Sequence, residues 1–229
     1  MKRLGFAVTI GALGLGLIAS PAVAQTPLER QVLAALNLAR TDPAGYIRAL
    51  RQYRTFFHAN LVVMPDQPED VETNEGVAAV DETIAFLERQ APLPPLADSA
   101  LLATSAAEHV ADQEATGETG HDGSDGSSPA QRVRRRGGGN YVAEVIAYGP
   151  VDAVDTVRQL IVDDGVADRG HRSILYSPEL RFAGVSCGSH PEYRTMCVID
   201  LGITPDGRVG HPTRLVRETR PRQYALNDR

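Results

Sequence analysis

Two histidines beside glycines are the residues of this chain best suited to chemistry. They lie in Gly120-His121-Asp122-Gly123 and in Arg169-Gly170-His171-Arg172. Between them Glu144 interrupts the apolar run Tyr141 to Ala147. Neutral imidazole nitrogens ligate zinc-like ions, and a carboxylate adds to a partial shell. Such a shell stays open and holds a water, which the metal acidifies into a nucleophile. Without metal, the same groups form an acid–base pair, because imidazole titrates near neutral pH. Taken singly, His121 is a loop histidine and His171 the start of a helix. Taken together with Glu144, they point to one cleft that only a fold could assemble.

Alternation along the run places Val142, Glu144 and Ile146 on one face of a strand. Glu144 therefore shares a face with apolar residues and needs a partner, with His121 and His171 as the candidates. His109 sits on an apolar helix face and reads as a core or boundary residue. His58, His190 and His211 read as solvated. Asp122 and Asp125 lack the spacing of a calcium loop and read as turn residues. Gly184-Val185-Ser186-Cys187-Gly188 matches the Gly-x-Ser-x-Gly pattern of serine hydrolases, but that pattern needs a helix after the serine. A second strand follows here. Arg132, Arg134, Arg135 and Arg136 read as one solvated helix face. No aromatic residues interleave them, which argues against nucleic-acid binding.

The elements that must position these groups are legible from period and punctuation. Val32, Leu33, Leu36 and Ala39 predict a helix over 26–39, and Asp42-Pro43 starts another to about residue 53. Residues 65–74 lack a period and read as a surface loop. Val77, Val80, Ile84 and Leu87 predict a helix over 75–90. Asp98 or Ser99 caps a helix with Leu101, Leu102, Ala106 and Val110. Gly117 to Gly126 is a loop, and Ser128-Pro129 caps a short helix to Arg135. A strand covers 141–148. A helix from Pro150 ends at Asp164-Gly165. Two strands bearing Cys187 and Cys197 close the domain with turn residues between them. From Pro205 the chain has no apolar period and holds six Arg, so residues 205–229 read as an extended or disordered tail. Early helices, late strands and interleaved helices indicate an α+β fold.

The first residues bound the compartment. Lys2 and Arg3, the apolar stretch from Leu4 to Ile18 and Ala22-Val23-Ala24 read as a signal peptide over 1–24. Without Lys2 and Arg3 the formal net charge of -6 becomes -8. An acidic chain of this kind argues against nucleic acid and polybasic membrane contact. The mature sequence shows no second transmembrane run. Export permits Cys187 and Cys197 to pair across the terminal hairpin. The protein is thus expected to be secreted or periplasmic.

From about Glu29 to Thr204 the sequence resembles the CAP superfamily of cysteine-rich secretory, antigen 5 and pathogenesis-related proteins. The resemblance rests on Asn37-Leu38-Ala39-Arg40, Pro43-Ala44-Gly45-Tyr46, Pro95-Leu96, Ala106-Ala107-Glu108-His109, Gly120-His121, Ser128 to Arg132, Glu144, Gly170-His171 and Gly184-Val185, in that order. It implies a three-layer α-β-α sandwich over 25–204. It also implies a cleft with two His and two acids: His121, His171, Glu144 and either Asp163 or Asp164. This sequence has no Trp, which the family usually places nearby. His121, His171 and Glu144 are the expected ligands of a divalent ion such as zinc. The expected role is binding a metal, lipid or cell-envelope component in that cleft. The alternative is an extracytoplasmic metal-dependent hydrolase or protease using the same groups.

Overall fold

The computed structural model describes residues 25–209 except 66, 68 and 151. The signal-peptide reading and most of the tail therefore lie outside the described residues. Among the described residues, seven helices and seven strands follow one another: α1 (Pro27–Thr41), α2 (Pro43–Arg54), β1 (Phe57–His58), β2 (Leu61–Val62), β3 (Val71–Glu72), α3 (Val77–Leu87), β4 (Ala97–Asp98), α4 (Ala100–Thr116), α5 (Pro129–Arg135), β5 (Val142–Tyr148), α6 (Ala153–Val162), α7 (Gly170–Leu175), β6 (Phe182–His190) and β7 (Arg194–Gly202).

Local chemistry explains most of these boundaries. Thr26 and Ser128 each close a capping box, with Glu29 and Gln131 reaching back to the cap nitrogen. Asp42, Ser99 and Asp152 accept from the first turn of their helices. Gly117 ends α4 in the left-handed conformation. The helix expected from Pro150 begins at Ala153, because Asp152 takes the cap.

The main sheet has the order β4-β6-β7-β5, with β4 parallel to β6 and the other pairs antiparallel. Its two faces carry two cores. Val145, Ala147, Val185, Ile199 and Leu201 pack with α1, α2, α3, α6 and α7. Ile146, Met196 and Val198 pack with Ala106 and Val110 of α4. The fold is thus α+β in three layers, with helices on both faces of the sheet. Close contact of α4 with β6 depends on Gly184, where a Cβ would fall 1.9 Å from the Ala103 nitrogen.

Cys187 and Cys197 oppose each other across the β6–β7 hairpin and form a disulfide. Three features depart from the sequence reading. Residues 57–72 hold the small antiparallel sheet β1-β2-β3, where a loop was expected over 65–74. His190 is buried, not solvated, and accepts from the nitrogens of Glu192 and Tyr193. Residues 205–208 hold onto the domain: Gly139 donates to the Asp206 carbonyl and Tyr141 to that of Gly207.

Candidate functional site

The first histidine is placed by a loop tied down at several points. The Gly120 carbonyl accepts from His109 Nε2 at 2.8 Å and from Gln113 at 2.7 Å, both on α4. The Gly120 nitrogen donates to the Tyr148 hydroxyl, which donates to Gln113. His109 is thus a buried anchor of the loop, as its apolar helix face suggested. His121 then meets Glu144, Nδ1 to Oε1 at 2.9 Å. An ionised carboxylate only accepts, so Nδ1 carries the proton and Nε2 keeps its lone pair.

Glu144 is held from its other side by Arg132, at 2.7 Å, with both side chains 1% exposed. Arg132 also donates to the carbonyls of His121 and Ser127. It is the one member of the basic run that turns inward, against the expectation of a solvated face. Arg135 and Arg136 pair instead with Glu108 at the surface. Burial by itself raises the pKa of Glu144, but the His121 hydrogen bond and the Arg132 charge outweigh it and hold the group below the ordinary carboxylate range. The Glu144 hydrogen bond raises the pKa of His121.

The second histidine is placed by the end of α6. Asp163 adopts a left-handed conformation, φ 58°, at the C-cap, a backbone state that Asp tolerates better than most residues. This turn points the Asp163 carboxylate to His171 Nδ1, 2.6 Å away, and to the Arg172 nitrogen. Asp164 points elsewhere and accepts from the nitrogens of Asn74 and Glu75. Asp163 is therefore the acid beside the second histidine. His171 Nε2, like that of His121, is left free of its carboxylate.

The sequence-derived site residues thus form two pairs, His121–Glu144 and His171–Asp163. A cavity of about 770 Å³ is lined by His171, Asp163 and Asp164, but not by His121 or Glu144. Its size is that of a small-molecule pocket. Tyr53, Phe57, Met64, Leu160 and Tyr193 give it largely apolar walls. Among the described residues, no three His, Cys, Asp or Glu side chains gather at ligating spacing. The donor chemistry of each imidazole nevertheless fits a zinc-like ion, since a carboxylate on Nδ1 is the outer partner of a metal-binding histidine.

One residue escaped the sequence reading. Asp200 of β7 is fully buried opposite Glu144. Burial, and then the charge of Glu144, push its pKa well above the ordinary value. Two facing carboxylates cannot both ionise there, so Asp200 keeps the proton, and Glu144, paired with Arg132 and hydrogen-bonded by His121, keeps the charge. The alternation Met196, Val198, Asp200 carried the same signal as Glu144: an acid on an apolar face. Ser186 is buried within β6, with no helix after it, so the hydrolase pattern has no structural basis.

Helices thus sandwich a short sheet, and two histidine–carboxylate pairs accompany it. The model of the CAP family, the cysteine-rich secretory protein family, matches residues 33–201. The chain belongs to that family. Among solved structures, it is similar to an extracellular protein containing a SCP domain from Bacillus anthracis, at 20% identity and a TM-score of 0.40. That likeness covers 55% of this chain and 37% of the other, so it spans little more than a third of that protein. An outer surface protein from Borrelia burgdorferi is similar at 17% identity and a TM-score of 0.40, over 48% of this chain and 77% of that one. No curated protein sequence matches significantly. No helix among the described residues is long and apolar enough to cross a membrane.

Proposed function

We propose that this CAP-domain protein is exported and binds a ligand in the cavity beside His171 and Asp163. The observation that carries this reading is the pair of imidazoles, each pinned at Nδ1 by a buried carboxylate that leaves Nε2 to a ligand. Pinning fixes ring and tautomer before a ligand arrives, which lowers the ordering cost of binding. His121 and His171 would hold a divalent ion such as zinc through Nε2. Glu144 and Asp163 act as orienting acceptors, because their oxygens already serve His121 and Arg132, or His171 and the Arg172 nitrogen. With both carboxylates so engaged, neither stands ready as a general base, which favours binding over hydrolysis. A bound ion would supply Lewis acidity and a site for a polar head group.

Export is supported by the signal-like residues 1–24, by the disulfide and by the family. The ligand class is a small molecule, lipid or cell-envelope component. Isothermal titration with zinc tests the site at about pH 8, above the ordinary imidazole range, because the Glu144 hydrogen bond raises the pKa of His121. Wild type should bind more tightly than His121→Ala or His171→Ala, by on the order of tenfold or more. Equal affinity in all three proteins would remove the metal from this reading. Mature protein found only in the cytoplasm would remove export.

A further inference from the structure

We propose that the free edge of β5, inside the cavity, receives an extended peptide as an added strand. The pairing of the sheet fixes which backbone groups face that edge. Antiparallel neighbours alternate between pairs that exchange hydrogen bonds and pairs that do not. The Gly149 nitrogen donates to the Thr195 carbonyl at 2.8 Å. By alternation, Ala147 and Val145 also bond to β7, opposite Cys197 and Ile199. The disulfide agrees, since Cys187 and Cys197 come within 4.1 Å at Cα, the close spacing of a non-bonded pair on the β6 side. The N–H and C=O of Ile146 and Tyr148 therefore point away from β7. Among the described residues, no backbone group meets them on that side.

The cavity reaches this edge. Ile146 packs on the α4 side of the sheet and Ala147 on the α6 side, yet both line the cavity. Only access along the edge touches both faces. A hydrocarbon chain would leave the Ile146 and Tyr148 amides unpaired in an apolar setting, whereas a peptide backbone satisfies them. The walls also specify side chains. Tyr148 and Tyr193 lie 5.3 Å apart and offer an aromatic seat for an apolar residue. Asp155 pairs with Arg158 and Asp163 with His171, so Glu72 and Asp164 leave the lining with an acidic excess, which favours a basic residue at alternate positions. The ligand is thus an extended segment in which apolar and basic residues alternate.

The inference rests on the cavity as the binding site, but not on the metal. Its test uses the whole mature protein and a pool of capped heptapeptides in which Val, Leu or Tyr alternates with Lys or Arg. Amide exchange by NMR should show Ile146 and Tyr148 exchanging faster than Val145 and Ala147 in the free protein. Saturating peptide should slow Ile146 and Tyr148 by on the order of tenfold or more through new hydrogen bonds. N-methylation of alternate peptide nitrogens should weaken binding by on the order of tenfold, since it deletes the donors. No binding from the pool at about 1 mM, a very weak limit, would overturn the inference. So would binding without protection of those two amides, or equal binding of the N-methylated pool. Dodecanoate, added as a second probe, would overturn it by binding where the peptides do not, giving the cavity to a lipid. Zinc titration in parallel separates the failures: if His171-dependent zinc binding persists, only the peptide inference falls.

Discussion

Replacing Glu144 with Gln should unfold more of this protein than the change of one atom suggests. The two side chains have nearly the same volume, so packing on α4 is kept and charge is lost. Arg132 is left as a buried cation with only the carbonyls of His121 and Ser127 to receive it. The new amide can turn its oxygen to Arg132 and its NH2 to His121 Nδ1 only if the imidazole shifts its proton to Nε2, which removes the lone pair that Nε2 offered. Removing one partner of a buried pair costs about 3–5 kcal/mol. Against a typical total of about 5–15 kcal/mol, that is a large share. In a domain of this size it corresponds to a fall in Tm of roughly 6–20 °C. The pH dependence follows from the direction of each shift. The pKa of Glu144 is lowered in the fold, so its contribution is present above the unfolded value, about 4.3, and fades as pH falls through the folded one. That of His121 is raised, so its smaller, half-exposed contribution is present below about 6.5 and lost as pH rises through the folded value. Urea unfolding at about pH 7 and about pH 3.5 reads the Glu144 contribution, on either side of the unfolded carboxylate value. The gap between wild type and Glu144→Gln should be large at the first and shrink at the second. A gap under about 1 kcal/mol near neutrality, or one unchanged by acid, would refute the buried ion pair. Adding Arg132→Met to Glu144→Gln should recover part of the loss, because the stranded charge is then removed.

Asp200→Asn mimics the protonated carboxyl. Wild type should lose stability relative to this variant at up to about 1.4 kcal/mol per pH unit above pH about 4, because the unfolded chain ionises Asp200 and the fold does not; parallel pH curves would show Asp200 to be charged in the fold. Gly184→Ala should destabilise by about 3 kcal/mol through overpacking, as the new methyl group meets α4 backbone at 1.9 Å and 2.3 Å; an unchanged Tm would mean that α4 sits further from β6. Replacing both Cys187 and Cys197 by Ser should cost about 2–3 kcal/mol, the value for a short closed loop, and denatured unreduced wild type should show no reactive thiol.

The sequence by itself determined the elements and the family. Capping residues and helical spacing set α1 to α5, alternation set β5 to β7, and a short hairpin brought Cys187 to Cys197. These are local matters, fixed by residues within a few positions of each other. Which group touches which was decided by the tertiary structure. Glu144 had two histidines as candidate partners, and the tie of Gly120 to His109 and Gln113 brought it His121. Asp163 and Asp164 are adjacent and chemically alike; a left-handed backbone turn gave one to His171 and the other to Asn74. Arg132 looks like Arg134 to Arg136 in sequence, and only the position of Glu144 beneath α5 turns it inward. The edge of β5 has the same origin. A strand's side-chain pattern shows which face is buried, but its neighbour in the sheet decides which amides remain unpaired, and that neighbour lies some fifty residues away.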